Sequence, residues 1–302
     1  METPGRACLI FNPAAGRGRM RAAIPDIRAA FAARGITESY LTAAPGDEET
    51  LARRALDHGA ESIVAVGGDG TCGRIAGAIV EAGSDCSLTV IPSGTGNDFA
   101  KTLGLSNASP EEVAELVSRN ATTPIDVGKA DDHYFLNSCG FGFDASVLEA
   151  SNSVRLLKGD AVYIYSALLQ LFGYHAQYVS AAGIPGAPRG RMLMVTASNG
   201  KSLGGAFRIA PRASVTDGKL DVCFFADSSV LTRARLFAGA LRGTHLDRPE
   251  VFAAATQRVS LSFESAPAME MDGELRVARG RTVELQCEPR ALRVIAAPGA
   301  LS

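Results

Sequence analysis

The 302-residue sequence contains no tryptophan and four histidines, and none of its six cysteines belongs to a CxxC pair. The histidines are far apart and lack HExxH spacing, and no His and Cys residues stand at zinc-ligand spacing. A zinc-dependent activity is therefore disfavoured, and the GxSxG motif of serine hydrolases is also missing. The single cysteines are expected to be small buried apolar residues in a reducing compartment.

The sequence also lacks a long apolar segment that could cross a membrane. Its longest weakly charged stretch, residues 161–179, is interrupted by Gln170, Gly173, His175 and Gln177. The N-terminal residues lack the charged and apolar regions of a signal peptide. These absences predict a cytoplasmic protein without a transmembrane segment.

An excess of charge of one sign is missing as well. The chain has 30 Lys and Arg against 32 Asp and Glu, a net charge of −2. Such a balance produces no strong positive electrostatic field that would attract nucleic acid, so no nucleic-acid partner is expected. A hydrophobic content of 46% in a chain of this length provides core for one large or two modest domains.

Up to about residue 123, apolar segments alternate with Ala-rich amphipathic segments. The apolar segments 7–11, 62–66 and 88–92 are typical of fully buried strands. Strands of this kind alternating with helices predict a parallel sheet covered by helices on both faces. Residues 1–124 are therefore predicted to form an α/β domain.

From about residue 125 onward, the apolar segments become short and alternate with polar residues. This pattern predicts a mostly antiparallel β domain over residues 125–290, with helices near 155–173 and 229–243. One of its predicted strands is GAFRIAP, residues 205–211. The tail could add a last strand to either domain, so residues 291–302 could join the N-terminal one.

Each apolar strand of the N-terminal domain is followed by a glycine-rich loop and a helix. The loops are NPAAGRG from Asn12, GGDGT from Gly67, and PSGTGNDFA from Pro92. Because the carboxyl ends of parallel strands share one sheet edge, these loops can converge on one ligand. Glycine turns at helix N-termini suit phosphate, so a nucleotide site is predicted. The GxxxxGK[ST] motif of P-loop proteins is missing.

The segment GFGFDA, residues 140–145, does satisfy a GxGxxA dinucleotide-binding pattern. No βαβ unit is predicted to follow it, so we interpret it as a turn. An NAD(P)H-dependent oxidoreductase is the alternative function that depends on this segment.

Asp69 is unexpected in a phosphate loop, because a carboxylate repels phosphate. It either organises a magnesium ion beside the phosphates, or closes a local turn and caps its helix. Asn97 and Asp98 could likewise cap the next helix. Two further Asp-Gly turns, one flanked by Asp217 and Asp221 and one at Asp272, fit plain hairpins or acidic sites.

Seven motifs occur in order along nearly the whole chain: NPAAGRG, GGDGT, PSGTGNDFA, DVG, GFGFDASV, GGAFRIAPRASVTDGKLDV and MDGE. In this order they resemble the diacylglycerol kinase catalytic family, which includes bacterial lipid kinases and sphingosine kinases. The resemblance implies a nucleotide-binding α/β domain, a C-terminal β-sandwich, and transfer of the ATP γ-phosphoryl group to a lipid hydroxyl. Many relatives have serine before the first loop glycine, where this chain has Ala15.

The loops and the resemblance together predict a set of nucleotide-binding residues. The set is Asn12, Arg17, Gly67, Gly68, Asp69, Gly70, Thr71, Ser93, Gly94, Thr95, Asn97, Asp98 and Asp126. Arg19 is the alternative to Arg17 as a cation for the phosphates. ATP and Mg²⁺ are the implied co-substrate and metal.

The resemblance also implies roles for four acids of the C-terminal domain. Glu274 is the base that accepts the proton of the lipid hydroxyl, and Asp272 supports it or the metal. Asp217 and Asp221 hold a structural magnesium ion. With Asp69 counted among the catalytic residues, this arrangement would place the reaction in a cleft between the domains.

The favoured substrate is diacylglycerol, which would become phosphatidic acid. Sphingoid bases, monoacylglycerol and NAD remain alternatives, and a nucleotide-binding regulatory module is the non-enzyme alternative. Residues 155–174 fit either a core helix or a surface that docks transiently on a membrane. The oligomeric state is not determined by these patterns, and a homodimer stays open.

Overall fold

A computed structural model of the chain describes residues 6–94, 96–151 and 160–301. The chain divides into two compact units, Met1–Ile125 with Arg290–Ser302 and Asp126–Pro289, called unit 1 and unit 2 below. Among the described residues, no helix has both the length and the apolarity to cross a membrane. The fold class expected from the sequence, an α/β domain followed by an antiparallel β domain, is confirmed.

Unit 1 is built on a parallel sheet. Its strands are β1 (Ala7–Phe11), β2 (Glu38–Leu41), β3 (Ser62–Gly67) and β4 (Ser87–Pro92), in the order β2-β1-β3-β4. The end of the long strand β15 (Thr282–Ile295) pairs in parallel with β4 through Arg293 and Val294. The C-terminal strand, whose domain the sequence left open, therefore extends the sheet of unit 1.

Helices cover both faces of this sheet. They are α1 (Met20–Ala32), α2 (Asp47–Asp57), α3 (Asp69–Glu81), α4 (Asp98–Thr102) and α5 (Pro110–Arg119). Helices α1 and α5 pack on Leu9 and Phe11 of β1. Because side chains alternate along a strand, Cys8 and Ile10 point to the opposite face, where they are also fully buried. Ser109 is the N-cap of α5 and forms a capping box with Glu112, as is typical of Ser three residues before Glu.

Unit 2 is dominated by antiparallel strands. They are β5 (Thr122–Ala130), which begins in unit 1, β6 (His133–Phe135), β7 (Ser138–Gly142), β8 (Gln177–Ala182), β9 (Gly190–Ser198), β10 (Leu220–Ala226), β11 (Val251–Thr256), β12 (Arg258–Phe263), β13 (Ala268–Met271), β14 (Glu274–Val277) and the first part of β15. They surround a core that includes Phe141, Phe224 and Leu261.

All six cysteines of the chain are buried free thiols, as expected from their scattered positions.

The described part of unit 2 also contains the α-helices α6 (Phe143–Ser151), α7 (Asp160–Gly173) and α8 (Val230–Arg242). Helix α6 was not predicted, because the glycine-rich segment before it looks like a turn. The strand predicted at residues 205–211 is wrong, since this segment holds only an isolated bridge between Leu203 and Phe207. Its apolar residues Phe207 and Ile209 pack in a cluster with α8 instead of pairing with a strand.

The GFGFDA segment is not the turn that we expected, because Gly140–Gly142 end β7 and the next three residues begin α6. Strand β7 is antiparallel to both of its neighbours, β9 and β13. A dinucleotide-binding fold needs a parallel strand at this point. The oxidoreductase alternative therefore loses the feature that supported it.

Candidate active site

The three glycine loops of unit 1 contact one another through their backbones. A Cβ atom added to Gly94 would lie 2.7 Å from the Cα atom of Gly68. One added to Gly16, whose φ is +59°, would lie 2.6 Å from the carbonyl oxygen of Ser93. Any side chain at Gly16 or Gly94 would push the loops apart. Glycine is thus required for the loops to form one continuous surface at the ends of β1, β3 and β4.

Alanine at Gly94 is expected to separate the second and third loops, because the added methyl group would overlap the backbone of Gly68. We expect a loss of about 1–3 kcal/mol in the free energy of unfolding and at least about tenfold weaker ATP binding. Urea denaturation and calorimetric titration measure the two effects. Gly280→Ala is the matched control, since no atom lies within 4 Å of its Cβ position. ATP affinity equal to that of the wild type would contradict the expectation.

Thr71 is held in place by contacts from Gly67, at the end of β3, and from Asn12, which follows β1. A Cβ atom on Gly67 would lie 2.5 Å from Thr71 Oγ1, so only glycine fits at position 67. The amide Nδ2 of Asn12 donates to Thr71 Oγ1 and to Glu48 Oε1, each at 3.1 Å. Glu48 is 3% exposed and also accepts a hydrogen bond from the backbone of Gly46. Glu48 was missed in the sequence, because an acid in the first turn of a helix usually faces solvent.

Asp69 is the first residue of α3, but its carboxylate contacts the start of α4. Its Oδ1 accepts a hydrogen bond from the backbone N–H of Phe99 at 2.9 Å. Asn97, which directly precedes α4 at a φ of 51°, turns its side chain back onto Gly94 instead of capping the helix. Asp69 therefore takes the place of the missing cap on α4 and ties the second loop to the third.

The carboxylates of Asp69 and Asp98 form a close acidic pair. Burial, followed by the negative charge of Asp98, raises the pKa of Asp69 to about 6, against the opposing effect of nearby backbone N–H groups and Lys101. Asp98 is itself buried and is ion-paired with Lys101 at 3.0 Å. A cation at this position would relieve the repulsion between the two carboxylates.

The donor set fits a magnesium ion that is shared with phosphate. Mg²⁺ is usually held by one or two carboxylates together with phosphate oxygens and water. In the part of the chain that the structure describes, no group of three or more His, Cys, Asp or Glu side chains could hold a metal ion unaided. Asp69 and Asp98 therefore suit an ion that arrives with a phosphate ligand.

Other predicted residues of the loops differ in what they contact. Ser93 Oγ is buried and has no hydrogen-bond partner among the described residues, so a ligand acceptor could satisfy it. Arg19 Nε donates to the carbonyl of Gly16 at 3.0 Å and thereby supports the first loop. Thr95 and the side chain of Arg17 lie outside the described residues. Gly70 lies in the first turn of α3.

Asp126 joins β5 to the loop that contains Asp217. Its Oδ2 accepts a hydrogen bond from the N–H of Gly218 at 2.6 Å, and its own N–H donates to the carbonyl of Val215 at 2.7 Å. The carbonyl of Asp126 accepts a hydrogen bond from Asn199 Nδ2 at 2.9 Å. Asp126 is almost fully buried, so it orders the acidic loop of unit 2.

Asp217 and Asp221 flank the turn at Gly218, as the sequence indicates. The plain hairpin interpretation of this turn is wrong, because among the described residues no strand precedes β10 between residues 199 and 219. Burial, then the charge of Asp217, raises the pKa of Asp221, while Arg212 and Lys219 oppose the rise. Two mutually repelling carboxylates beside an ordered turn are suited to a hard cation, and their role as ligands stays a prediction.

Asp272 and Gly273 form the tight turn between β13 and β14, with φ values of 47° and 85°. This is the hairpin that the Asp-Gly pair predicts. The Asp272 carboxylate accepts backbone hydrogen bonds from Leu136 at 2.6 Å, Asn137 at 2.8 Å and Ser138 at 3.2 Å. By this geometry Asp272 positions the segment before β7.

Glu274 follows the same turn and is partly exposed. Its Oε2 accepts a hydrogen bond from the Arg276 guanidinium at 3.1 Å. Another Arg276 nitrogen lies 3.3 Å from His133 Nδ1. The guanidinium thus orients the carboxylate of Glu274, and the Glu274 side chain remains 26% exposed.

The fold and these sites define a two-unit protein, with glycine loops at the strand ends of its α/β part and several carboxylates in its antiparallel β part. Residues 6–130 match the model of the diacylglycerol kinase catalytic domain. Residues 137–296 match the YegS C-terminal NAD kinase beta sandwich-like domain. The chain belongs to the family of lipid kinases that combine a diacylglycerol kinase catalytic domain with a YegS-type C-terminal domain.

Relatives of known name resemble the chain over most of its length. It is 26% identical to "Diacylglycerol kinase" of Bacillus subtilis (strain 168), with 89% of each chain covered. It is 32% identical to "Probable lipid kinase YegS-like" of Pseudomonas syringae pv. tomato, with 86% of this chain and 81% of the relative covered. The crystal structure of a diacylglycerol kinase from Bacillus anthracis str. Sterne shares the fold at a TM-score of 0.74, with 20% identity and 98% of both chains covered.

Proposed function

We propose that this chain transfers the γ-phosphoryl group of ATP to the hydroxyl of diacylglycerol in the presence of Mg²⁺. In the reaction the bond between the γ-phosphorus and the bridging oxygen of ADP breaks. A bond between phosphorus and the lipid oxygen forms, and the hydroxyl proton passes to a base. The observation that carries the proposal is the acidic pair of Asp69 and Asp98 where the glycine loops meet.

The glycine loops would bind the triphosphate. Backbone N–H groups at the start of α3 offer hydrogen bonds to anions, because the first turn of a helix leaves them unpaired. Gly67, Gly68 and Gly70 allow the backbone to come close to the phosphates. The hydroxyls of Thr71 and Ser93 would add donors, and the buried Ser93 Oγ lacks a partner among the residues described.

Asp69 and Asp98 would hold the magnesium ion of the nucleotide. When bound, Mg²⁺ neutralises charge on the phosphates and favours the transfer of the phosphoryl group. The link from Asp69 to Phe99 keeps its carboxylate at the junction of the second and third loops. Asn12 and Glu48 would act indirectly. Asn12 donates a hydrogen bond to Thr71 in the first turn of α3, and Glu48 accepts one from Asn12 and so orients it.

Glu274 would accept the proton of the lipid hydroxyl. A carboxylate can accept this proton, whereas a charged Lys or Arg cannot. Arg276 orients the carboxylate and Asp272 fixes the turn that carries it. We assign Asp217 and Asp221 to a structural cation, which Asp126 supports through its bond to Gly218.

Helix α7 would bring the protein to its lipid substrate. Ala167 and Leu171 are buried, whereas Tyr165, Leu168 and Leu169 are 45%, 43% and 56% exposed. The helix thus combines a core face with an apolar outer face, and we propose that the outer face touches the membrane transiently. Arg155 and Lys158, two basic residues of the segment 155–174 that could assist in docking, lie outside the described residues. A cytoplasmic location and a homodimer also stay predictions.

The proposed function is tested by phosphoryl transfer from γ-labelled ATP to lipids in mixed micelles. Diacylglycerol is expected to become labelled phosphatidic acid with Mg²⁺ but not with EDTA, and Asp69→Asn should lower the rate at least about 100-fold. Asp26→Asn, an exposed acid of α1, is the matched control. Sphingosine, ceramide, monoacylglycerol and NAD serve as competing acceptors. Label on NAD alone, or on no acceptor, would reject the proposal.

A further inference from the structure

Glu270 is a buried acid of β13 to which no motif of the sequence assigns a role. Only 1% of its surface is exposed. A glutamate is almost never buried to this extent unless its carboxyl group has a partner. One partner is close in sequence, because Oε1 accepts a hydrogen bond from the backbone N–H of Gly273 at 2.6 Å. The Glu270 side chain therefore reaches to the turn between β13 and β14.

This turn has a backbone conformation that needs support. Asp272 and Gly273 are consecutive left-handed residues, with φ values of 47° and 85°. Two such residues suit the twist of a hairpin, but the conformation is unfavourable for any residue other than glycine. The Asp272 carboxylate anchors the first residue of the turn to the backbone N–H groups of residues 136–138. Glu270 anchors the second residue by accepting the Gly273 N–H.

Glu274 follows Gly273 directly, so the turn decides where its carboxylate lies. In the ladder of β13 and β14, Glu274 is paired with Met271, the residue before the turn. Arg276 bonds only the end of the Glu274 side chain, and the turn fixes its backbone. A reacting group that is misplaced by about 1 Å can lower a rate by about 100-fold. The bond from Glu270 thus acts where a small shift has a large effect.

The strand register shows the route by which Glu270 acts. Glu270 is paired with Leu275 on β14 and with Gly140 on β7. Directly paired residues share one face of a sheet, and neighbours along a strand point to opposite faces. Glu274 precedes Leu275, so its side chain lies on the face opposite to that of Glu270. Glu270 is therefore placed to act on Glu274 through the backbone of the turn.

We propose that Glu270 is a positioning residue for phosphoryl transfer: by accepting the N–H of Gly273, it keeps the carboxylate of Glu274 where it accepts the proton of the lipid hydroxyl. The inference rests on the proposed function, since it concerns the base of that reaction. The role needs a strong acceptor at the end of a side chain of this length. Glutamine supplies one, whereas methionine, of similar length, offers only a weak acceptor.

Two measurements test this role, amide hydrogen exchange by NMR and initial-rate kinetics on mixed micelles. In Glu270→Met, the Gly273 N–H is expected to exchange at least about tenfold faster than in the wild type. The kcat should fall about tenfold, while ATP affinity and the KM for lipid stay within about threefold. Glu270→Gln should keep both properties within about threefold of the wild type. Glu264→Met, at an exposed acid of the same unit, is the matched control.

A double-mutant cycle separates positioning from a general loss of structure. If Glu270 acts through Glu274, then adding Glu270→Met to Glu274→Gln should change kcat by less than about twofold. If Glu270 only supports the folding of unit 2, Glu270→Met lowers the rate by the same factor in both backgrounds. Equal factors overturn the inference, and so does a kcat of Glu270→Met that equals that of the wild type.

A second variant serves if Glu270→Met does not fold. Glu270→Asp keeps the carboxyl group but shortens its reach by one methylene, so it is expected to show the faster exchange and the lower kcat as well. The wild-type rate separates this inference from the proposed function. A wild type that phosphorylates no lipid rejects the proposed function, whereas an active wild type with equal factors in the cycle overturns only the role of Glu270.

Discussion

Glu274→Gln is expected to lower kcat for phosphoryl transfer by about 10²–10⁴-fold, while ATP affinity and the KM for lipid change little. Glutamine keeps the size and hydrogen-bonding reach of the side chain but cannot accept the hydroxyl proton. Because proton transfer contributes only in the transition state, the loss should appear in kcat and not in binding.

The experiment combines initial-rate kinetics with calorimetric ATP titration and thermal unfolding of the same preparations. Glu264→Gln, an exposed acid of the same unit, is the matched control and should behave as wild type. Arg276→Gln should cause a smaller loss, about tenfold, since Arg276 only orients Glu274 at 3.1 Å. A Glu274→Gln rate within threefold of the wild-type rate would remove Glu274 from the reaction.

The free energy of unfolding of the wild type, relative to Asp144→Asn, is expected to fall by up to about 4 kcal/mol as the pH rises from about 4 to about 8. Burial raises the pKa of Asp144 from 3.8 to about 7 in the folded chain. Between these two values the folded state holds a proton that the unfolded state has released. Stability is therefore lost as the pH rises through this window, and is constant below and above it.

Urea denaturation of both proteins at pH values between 4.5 and 8 measures this difference. The subtraction removes the contribution of every other carboxylate, including Asp69, whose pKa also lies above its usual value. Asp26→Asn, an exposed acid, should show a difference from wild type that does not vary with pH. A pH-independent difference for Asp144→Asn would show that its carboxyl titrates normally.

Much of the architecture could be predicted because it depends on short-range patterns. Buried apolar strands such as β3 alternate with helices, and this pattern distinguishes a parallel sheet from the alternating segments of unit 2. Turn and cap chemistry is equally local, as at Asp272 and Ser109. The predicted strand at residues 205–211 failed, since a short apolar run can pack on a helix as well as pair in a sheet.

The candidate site was predicted by its motifs, but not by its contacts. The convergence of the glycine loops could be predicted from the sequence, because parallel strands place their carboxyl ends along one edge of the sheet. The bond from Asp69 to Phe99 spans 30 residues, and that from Asn12 to Glu48 spans 36. No local pattern indicates such partners, and for that reason Glu48 and Asp144 were missed.

The sequence by itself determined the class of each unit, the glycine loops at the strand ends and the family to which the chain belongs. These features follow from residue spacing and backbone preference, which are properties of short segments. The tertiary structure alone decided that Asp69 caps a neighbouring helix, that Asp272 holds the segment before β7, and that the carboxyl of Asp144 is buried against Gly140. Such outcomes depend on which distant elements pack together, and packing determines burial, hydrogen-bond partners and pKa values.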